Sequence, residues 1–203
     1  MRITQTVACS CHAVAPRQHE LQRRGFLRLA AAAGVGVALA PVAGRAQGKE
    51  YRAMLLSCVD PRTQTPIAAW MNAPAAGSHA IGLDGKYSQF TVAGAAVGIV
   101  APAFAGWEAT FWDNIGASIQ LHGITALIAV DHGNCGALGI AYGQRVLDDP
   151  KLELAAHLAD AKKLKEELAF RHPDLDYQAW FVDRDSNGRF NQWKTLVAGP
   201  EIS

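Results

Sequence analysis

The chain has 203 residues, half of them apolar, with 19 basic and 18 acidic side chains and a formal charge of +1. That length suits one domain with a sizeable core, and the balance gives no excess of positive charge for a nucleic-acid surface. The charge is unevenly placed. Residues 1–46 hold six Arg and one acid (Glu20), leaving 13 basic and 17 acidic residues beyond them, a net of −4.

The basic head reads as a targeting segment. Arg23-Arg24-Gly25-Phe26-Leu27-Arg28 leads directly into an apolar run from Leu29 to Val42, rich in Ala, Gly, Val and Leu. The run is too short to cross a hydrocarbon core of about 30 Å as a helix. It ends in Pro41 and small residues, with Gly44 and Ala46 placed for signal-peptidase cleavage after Ala46. The pattern resembles a twin-arginine export signal, which implies a periplasmic protein exported already folded. Residues 1–46 are therefore expected to be a signal peptide and residues 47–203 the functional domain. Cys9 and Cys11 would leave with the signal, while Cys58 and Cys135 stay.

Beyond a polar lead-in at 47–51, Arg52–Ser57 is predicted to be a short buried strand ending at Cys58-Val59-Asp60-Pro61-Arg62. Thr65–Asn72 is expected to make a helical turn or two, and Ala73–Lys86 a loop. Ser88–Val92 is a second strand candidate, running into Ala93-Gly94-Ala95, where small residues permit close backbone approach. Trp107, Phe111, Ile115 and Ile119 repeat every four residues, one apolar helix face that belongs to the core or a subunit interface, and Gly123 stops that helix. Ile124–Val130 is a continuous apolar run typical of a strand covered on both faces. Asp131-His132-Gly133-Asn134-Cys135-Gly136 follows it at once.

Leu152–Phe170 is predicted to be a long amphipathic helix, with Lys162, Lys163, Lys165, Glu166 and Glu167 on its solvated face. Tyr177–Val182 reads as a last strand, and Asp185–Gly188 as a hairpin turn with a return arm over Arg189–Trp193. Strands alternating with helices imply right-handed crossovers, hence a single α/β domain with a central, mainly parallel sheet flanked by helices and one terminal antiparallel strand.

In open parallel sheets, ligands bind beyond the carboxyl ends of the strands. Cys58, His132 and Cys135 all follow predicted strands there. Two thiolates and one imidazole suit Zn²⁺, which takes tetrahedral N/S coordination and keeps a fourth position open when three protein ligands hold it for catalysis. A helix beginning near Gly136 is expected to lower the thiolate pKa of Cys135. In an extended segment Cys58, Asp60 and Arg62 would share one face, letting Arg62 hold the Asp60 carboxylate beside the metal. The competing reading is a Cys58–Cys135 disulfide in an oxidising compartment, which assigns no part to His132 or to the Asp60–Arg62 pair. No glycine-rich phosphate loop, nucleotide fingerprint or Ser-His-Asp ordering stands out.

Ser57-Cys58-Val59-Asp60-Pro61-Arg62 resembles the Cys-x-Asp-x-Arg signature of β-class carbonic anhydrases, and Asp131-His132-Gly133-Asn134-Cys135-Gly136 their His-x-x-Cys-Gly signature. Weaker similarity covers Phe90–Gly94 and Ala179–Asp183, so the resemblance spans Met54 to about Gly188. It implies a central parallel sheet, a homodimer or higher homo-oligomer, and one Zn²⁺ per subunit on Cys58, His132 and Cys135. It further implies hydration of CO₂ to bicarbonate by a zinc-bound hydroxide, with Asp60 and Arg62 as the catalytic dyad; CO₂ and bicarbonate would be the only partners besides other copies of the chain. Two departures stand out. Thr91-Val92 occupies the place of the family's usual Arg-Asn, and a Gly/Pro-rich portion around 97–106 lengthens the segment between the signatures. Gln64 and Gln89 are candidates for the polar group of the substrate cleft, and no histidine among His79, His122, His157 and His172 is singled out as a proton shuttle. The alternatives are a hydrolase for CS₂ or COS on the same scaffold, and a non-catalytic zinc-binding or sensing protein.

Overall fold

The computed structural model describes residues 51–75 and 80–202. The proposed signal segment and His79 lie outside them.

The first strand, β1 (Ala53–Ser57), is buried at every position and is followed by helix α1 (Pro61–Asn72). Strand β2 (Tyr87–Thr91) comes next, then a short helix α2 (Ala96–Val100), a 3₁₀ turn at Pro102–Phe104, and α3 (Glu108–His122). Strand β3 (Ala126–His132) leads through α4 (Gly136–Tyr142) and α5 (Gln144–Asp148) into the long helix α6 (Pro150–Arg171). The hairpin of β4 (Asp176–Arg184) and β5 (Phe190–Val197) closes the chain. The sheet order is β2-β1-β3-β4-β5, parallel except for the final pair. This is the predicted single α/β domain with a mainly parallel sheet. No helix among the described residues is long and apolar enough to cross a membrane.

The order matters for function. After β1 the chain places β2 on one side, then returns to put β3 on the other, so β1 and β3 lead in opposite directions at their carboxyl ends. That is a topological switch point, where loops diverge and leave a crevice. Ser57 pairs in register with Val130 across it, which brings the segment after β1 beside the end of β3.

Side-chain alternation divides the core in two. Met54, Leu56, Leu127 and Ala129 face a cluster with Phe111, Ile115, Leu164 and Leu168 from α3 and α6, while Leu55, Ile128 and Val130 face Ile67, Trp70 and Met71 of α1. The residues of α6 that turn inward are Glu153, His157, Asp160, Ala161, Leu164 and Leu168, a helical stripe that is apolar at one end and polar at the other.

The elements differ from expectation at their ends, for local reasons. Helix α1 starts at Pro61, four residues before the predicted turn, because Asp60 caps it: its carboxylate accepts the Arg62 N–H at 2.9 Å, and proline is well suited to the first helical position. Asp60 and Arg62 are thus not on an extended segment as the alternation argument supposed. Strand β3 runs two residues further, through Asp131 and His132, and β5 continues to Val197. In the Gly/Pro-rich portion at 97–106, Val97, Ile99, Val100 and Phe104 are buried in the larger core. Lys163, exposed on α6 as expected, donates to the Val100 carbonyl at 2.7 Å.

Gly98 shows why that segment is glycine-bearing. A Cβ there would fall on the Ala93 carbonyl oxygen and press on Val92. Backbone cannot give way as a flexible side chain does, so Gly98→Ala is expected to cost about 1–3 kcal/mol as an overpacking change. A thermal melt checks it; a variant as stable as the parent would mean that α2 can be displaced without cost.

Candidate metal centre

Cys58 follows β1, His132 ends β3, and Cys135 is the residue before α4. Their ligand atoms, two sulfurs and one imidazole nitrogen, all lie within 4.8 Å of one another, and all three residues are buried. Tetrahedral zinc, with bonds of about 2.3 Å to sulfur and 2.0 Å to nitrogen, holds such donors roughly 3.5–3.8 Å apart. Both cysteines are free thiols.

The surroundings suit a cation. His132 Nδ1 lies 3.0 Å from the Gly133 carbonyl, so this nitrogen carries the proton and Nε2 keeps its lone pair. Nε2 is buried with no hydrogen-bond partner among the described residues, an orphan that a metal would satisfy. The Phe190 ring packs edge-on against the imidazole, centroids 5.8 Å apart, and covers it from solvent. The Gly94 N–H donates to Cys58 Sγ at 3.2 Å. That amide is delivered by the turn at Ala95, whose φ of 47° is rare for a residue with a side chain. The Ala96 N–H donates to Asp131 Oδ1 at 3.3 Å and holds the turn in place. The residues therefore fit a bound Zn²⁺.

The two thiols titrate as a pair. Cys58 is the acidic one, lowered first by the neighbouring Cys135 thiol, against burial, and then by His132 and the Gly94 N–H. Cys135 is raised, by Cys58 first and then by burial. The expected acidifying effect of the helix start on Cys135 is thus overruled: α4 is only two turns long, and a second negative charge beside the first is costlier than its partial charge can offset. A divalent cation removes that conflict, because coordinated thiols are deprotonated outright.

Asp60 stands beside this group, with Oδ2 at 3.9 Å from His132 Nε2. Arg62 Nε donates to both carboxylate oxygens at 2.9 and 3.0 Å, and its Nη2 donates to Oδ2. These hydrogen bonds from the Arg62 side chain, with its backbone N–H, hold the Asp60 carboxyl down at about 2, and Asp60 in turn raises the Arg62 guanidinium. Arg62 also stacks over Phe190, 5.7 Å from the ring centroid.

All five residues singled out in the sequence are therefore neighbours. Gln64 donates to the Cys58 carbonyl at 2.6 Å, and Gln89 to Ser57 Oγ and Thr91 Oγ1 at 3.3 and 3.1 Å. Both line one cavity of ≈ 310 Å³ with Leu55, Thr65, Ile67 and Ala68. Of the remaining histidines, His157 is fully buried with Nδ1 3.6 Å from Asp131, and His122 packs on Tyr51 at 4.7 Å. Three contributors were not anticipated: the Gly94 amide, the Asn134 carbonyl that accepts from Arg62 at 3.2 Å, and Glu153, which accepts the Cys135 N–H at 3.2 Å. Backbone donors leave no mark in a sequence. Glu153 did leave one, since an acid at the head of the 153-157-160-161-164-168 stripe faces inward.

No family model matches the chain. It is 27% identical over 136 residues to an uncharacterized protein of Rickettsia conorii, covering 67% of this chain and 69% of that protein. A second uncharacterized protein, from Rickettsia bellii, is 25% identical over 136 residues, covering 67% and 79%. Among solved structures the chain is similar to a tetrameric β-carbonic anhydrase of the filamentous ascomycete Sordaria macrospora, at 15% identity and a TM-score of 0.49, covering 90% of this chain and 98% of that one. It is also similar to β-carbonic anhydrase isoform I of Trichomonas vaginalis, at 13% identity and 0.46 over 90% and 99%. The Coccomyxa β-carbonic anhydrase gives 13% and 0.46 over 93% and 89%.

Proposed function

We propose that this chain is an exported zinc enzyme that hydrates CO₂ to bicarbonate, a β-class carbonic anhydrase in chemistry, working as a homodimer or higher homo-oligomer. The observation that carries the reading is the convergence of Cys58, His132 and Cys135 with an Asp–Arg pair at the switch point of a parallel sheet.

In this reading Cys58, His132 and Cys135 hold Zn²⁺. When bound, zinc supplies a Lewis acid that brings the pKa of water at an open position down toward neutrality, making a nucleophile available at physiological pH. The remaining work belongs to the protein. Gly133 orients the imidazole through Nδ1, and the Gly94 N–H orients the Cys58 sulfur. Asp60, kept ionised by Arg62, would serve as a hydrogen-bond acceptor that orients the nucleophile toward CO₂. Because Arg62 engages both carboxylate oxygens, Asp60 is held in the ion pair beside the three residues that would bind the metal. A carboxyl with a pKa near 2 carries no proton at neutral pH, so Asp60 orients and does not deliver protons.

One observation favours a second substrate class. Thr91-Val92 stands where the family usually has Arg-Asn, and the Thr91 hydroxyl accepts from Gln89, which with Gln64 lines the cavity of ≈ 310 Å³. An altered cleft of this kind fits hydrolysis of COS or CS₂ by the same machinery. Stopped-flow CO₂ hydration on zinc-loaded protein decides between them. The expected result is hydration proportional to zinc content and abolished by a chelator. Sulfide release from COS or CS₂ without CO₂ hydration would establish the second reading, and stoichiometric zinc with neither activity would leave a binding protein.

A further inference from the structure

The loop that presents Cys135 is held at both ends of one peptide unit. Arg62 Nη2 donates to the Asn134 carbonyl, and the N–H of that same peptide, on Cys135, donates to Glu153 Oε1, each at 3.2 Å. A cation therefore grips the oxygen of the Asn134–Cys135 peptide and a carboxylate grips its nitrogen. The peptide follows a residue at φ 55°, Asn134, in the left-handed region. Such a turn has few neighbours within the loop to fix it, so the orientation of its next peptide depends on partners from outside.

Glu153 sits in the first turn of α6 and is 7% exposed. Among the described residues it forms no ion pair, and its side chain makes this one hydrogen bond. A carboxylate buried without a cation is costly. A helix needing only core packing at this position would carry a neutral residue. The geometry explains the acid: charge-assisted bonds at both ends of a peptide hold its plane far more stiffly than neutral ones do.

We propose that Glu153 is a positioning residue for the metal centre. Together with Arg62 it fixes the Asn134–Cys135 peptide, and so aims the Cys135 sulfur and couples it to the Asp60–Arg62 pair. Arg62 thereby serves two groups at once, the carboxylate of Asp60 and the backbone of a metal ligand. The inference rests on the reading that Cys58, His132 and Cys135 bind metal.

The test is metal affinity, measured with zinc by competition against a chromophoric chelator, and the thiolate-to-metal charge-transfer band of the Co²⁺-substituted protein. Glu153→Leu removes the acceptor and is expected to weaken zinc binding about 10–100-fold, as loss of an outer partner of a ligand does, and to shift the Co²⁺ band. Glu153→Gln keeps an acceptor without its charge and is expected to lose roughly threefold, charge-assisted bonds being about twice as strong as neutral ones. Combined with Arg62→Leu, the Glu153→Leu loss should be less than additive, since either change alone frees the same peptide; additive losses would overturn the coupling. Should Glu153→Leu fail to fold, Glu153→Gln must still weaken zinc binding and move the Cys135 amide proton upfield. Wild-type protein that takes up no metal would remove the metal centre and this proposal with it. Normal wild-type uptake matched by the Glu153 variants would remove the role of Glu153 alone.

Discussion

Cys58→Ser is expected to abolish stoichiometric zinc, and CO₂ hydration with it. The change replaces a sulfur by an oxygen that is not ionised near neutral pH, in a buried site whose other donors are one thiol and one imidazole. Cys58 is also the more acidic of the two thiols and receives the Gly94 N–H, so it contributes the better-prepared anion of the pair. The loss should exceed the roughly 100-fold that outer partners cost, leaving no metal after dialysis against micromolar chelator. Elemental analysis of the purified variant is the check. One zinc per chain in Cys58→Ser would take Cys58 out of the coordination set.

The second large effect is expected at Asp60. Asparagine is as good a helix cap as aspartate, so Asp60→Asn keeps the start of α1 while removing the negative charge that, on the proposed reading, would orient the nucleophile. Zinc content should stay at one per chain, while kcat/KM falls by about 100-fold or more, the scale of losing one preorganised group that acts in the transition state. Unchanged activity would confine Asp60 to capping. The same variant tests the ion pair through pH. The carboxyl is lowered in the folded protein, to about 2, so its stabilising contribution is present above the ordinary carboxylate range and is lost as pH falls from about 4 toward 2. The stability difference between parent and Asp60→Asn should therefore be flat from neutral pH down to about 5 and shrink below it. A difference that widened in acid would contradict the depressed pKa.

Much of this was legible in the residues because the informative signals are short-range. The Ile124–Val130 run announced a doubly covered strand, and the four-residue repeat from Trp107 announced α3. The three ligands could be grouped because parallel strands deliver their following loops to one edge. What escaped notice was of two kinds. Helix α1 began early because a capping aspartate and a proline at 60 and 61 were read as part of a chemical motif and not also as a helix start. The segment 97–106 stood out only as a Gly/Pro-rich lengthening between the two signatures, whereas here Gly98 lets a short helix lie against the Ala93 carbonyl and bury its apolar residues. The electrostatic order of the two thiols was also beyond the sequence, since it depends on how the two sulfurs and His132 meet in the folded chain.

The ligands come from positions 58, 132 and 135, on strands that touch only once β1 has paired with β3. An open chain therefore offers the ion at most the local His132–Cys135 pair, and full chelation appears together with the middle of the sheet. If the site binds metal as proposed, uptake would report that the centre of the protein has assembled, and withdrawing the metal would slacken the place where the two halves of the sheet meet. On the proposed reading, a polypeptide built this way would acquire its cofactor late, as a finished body.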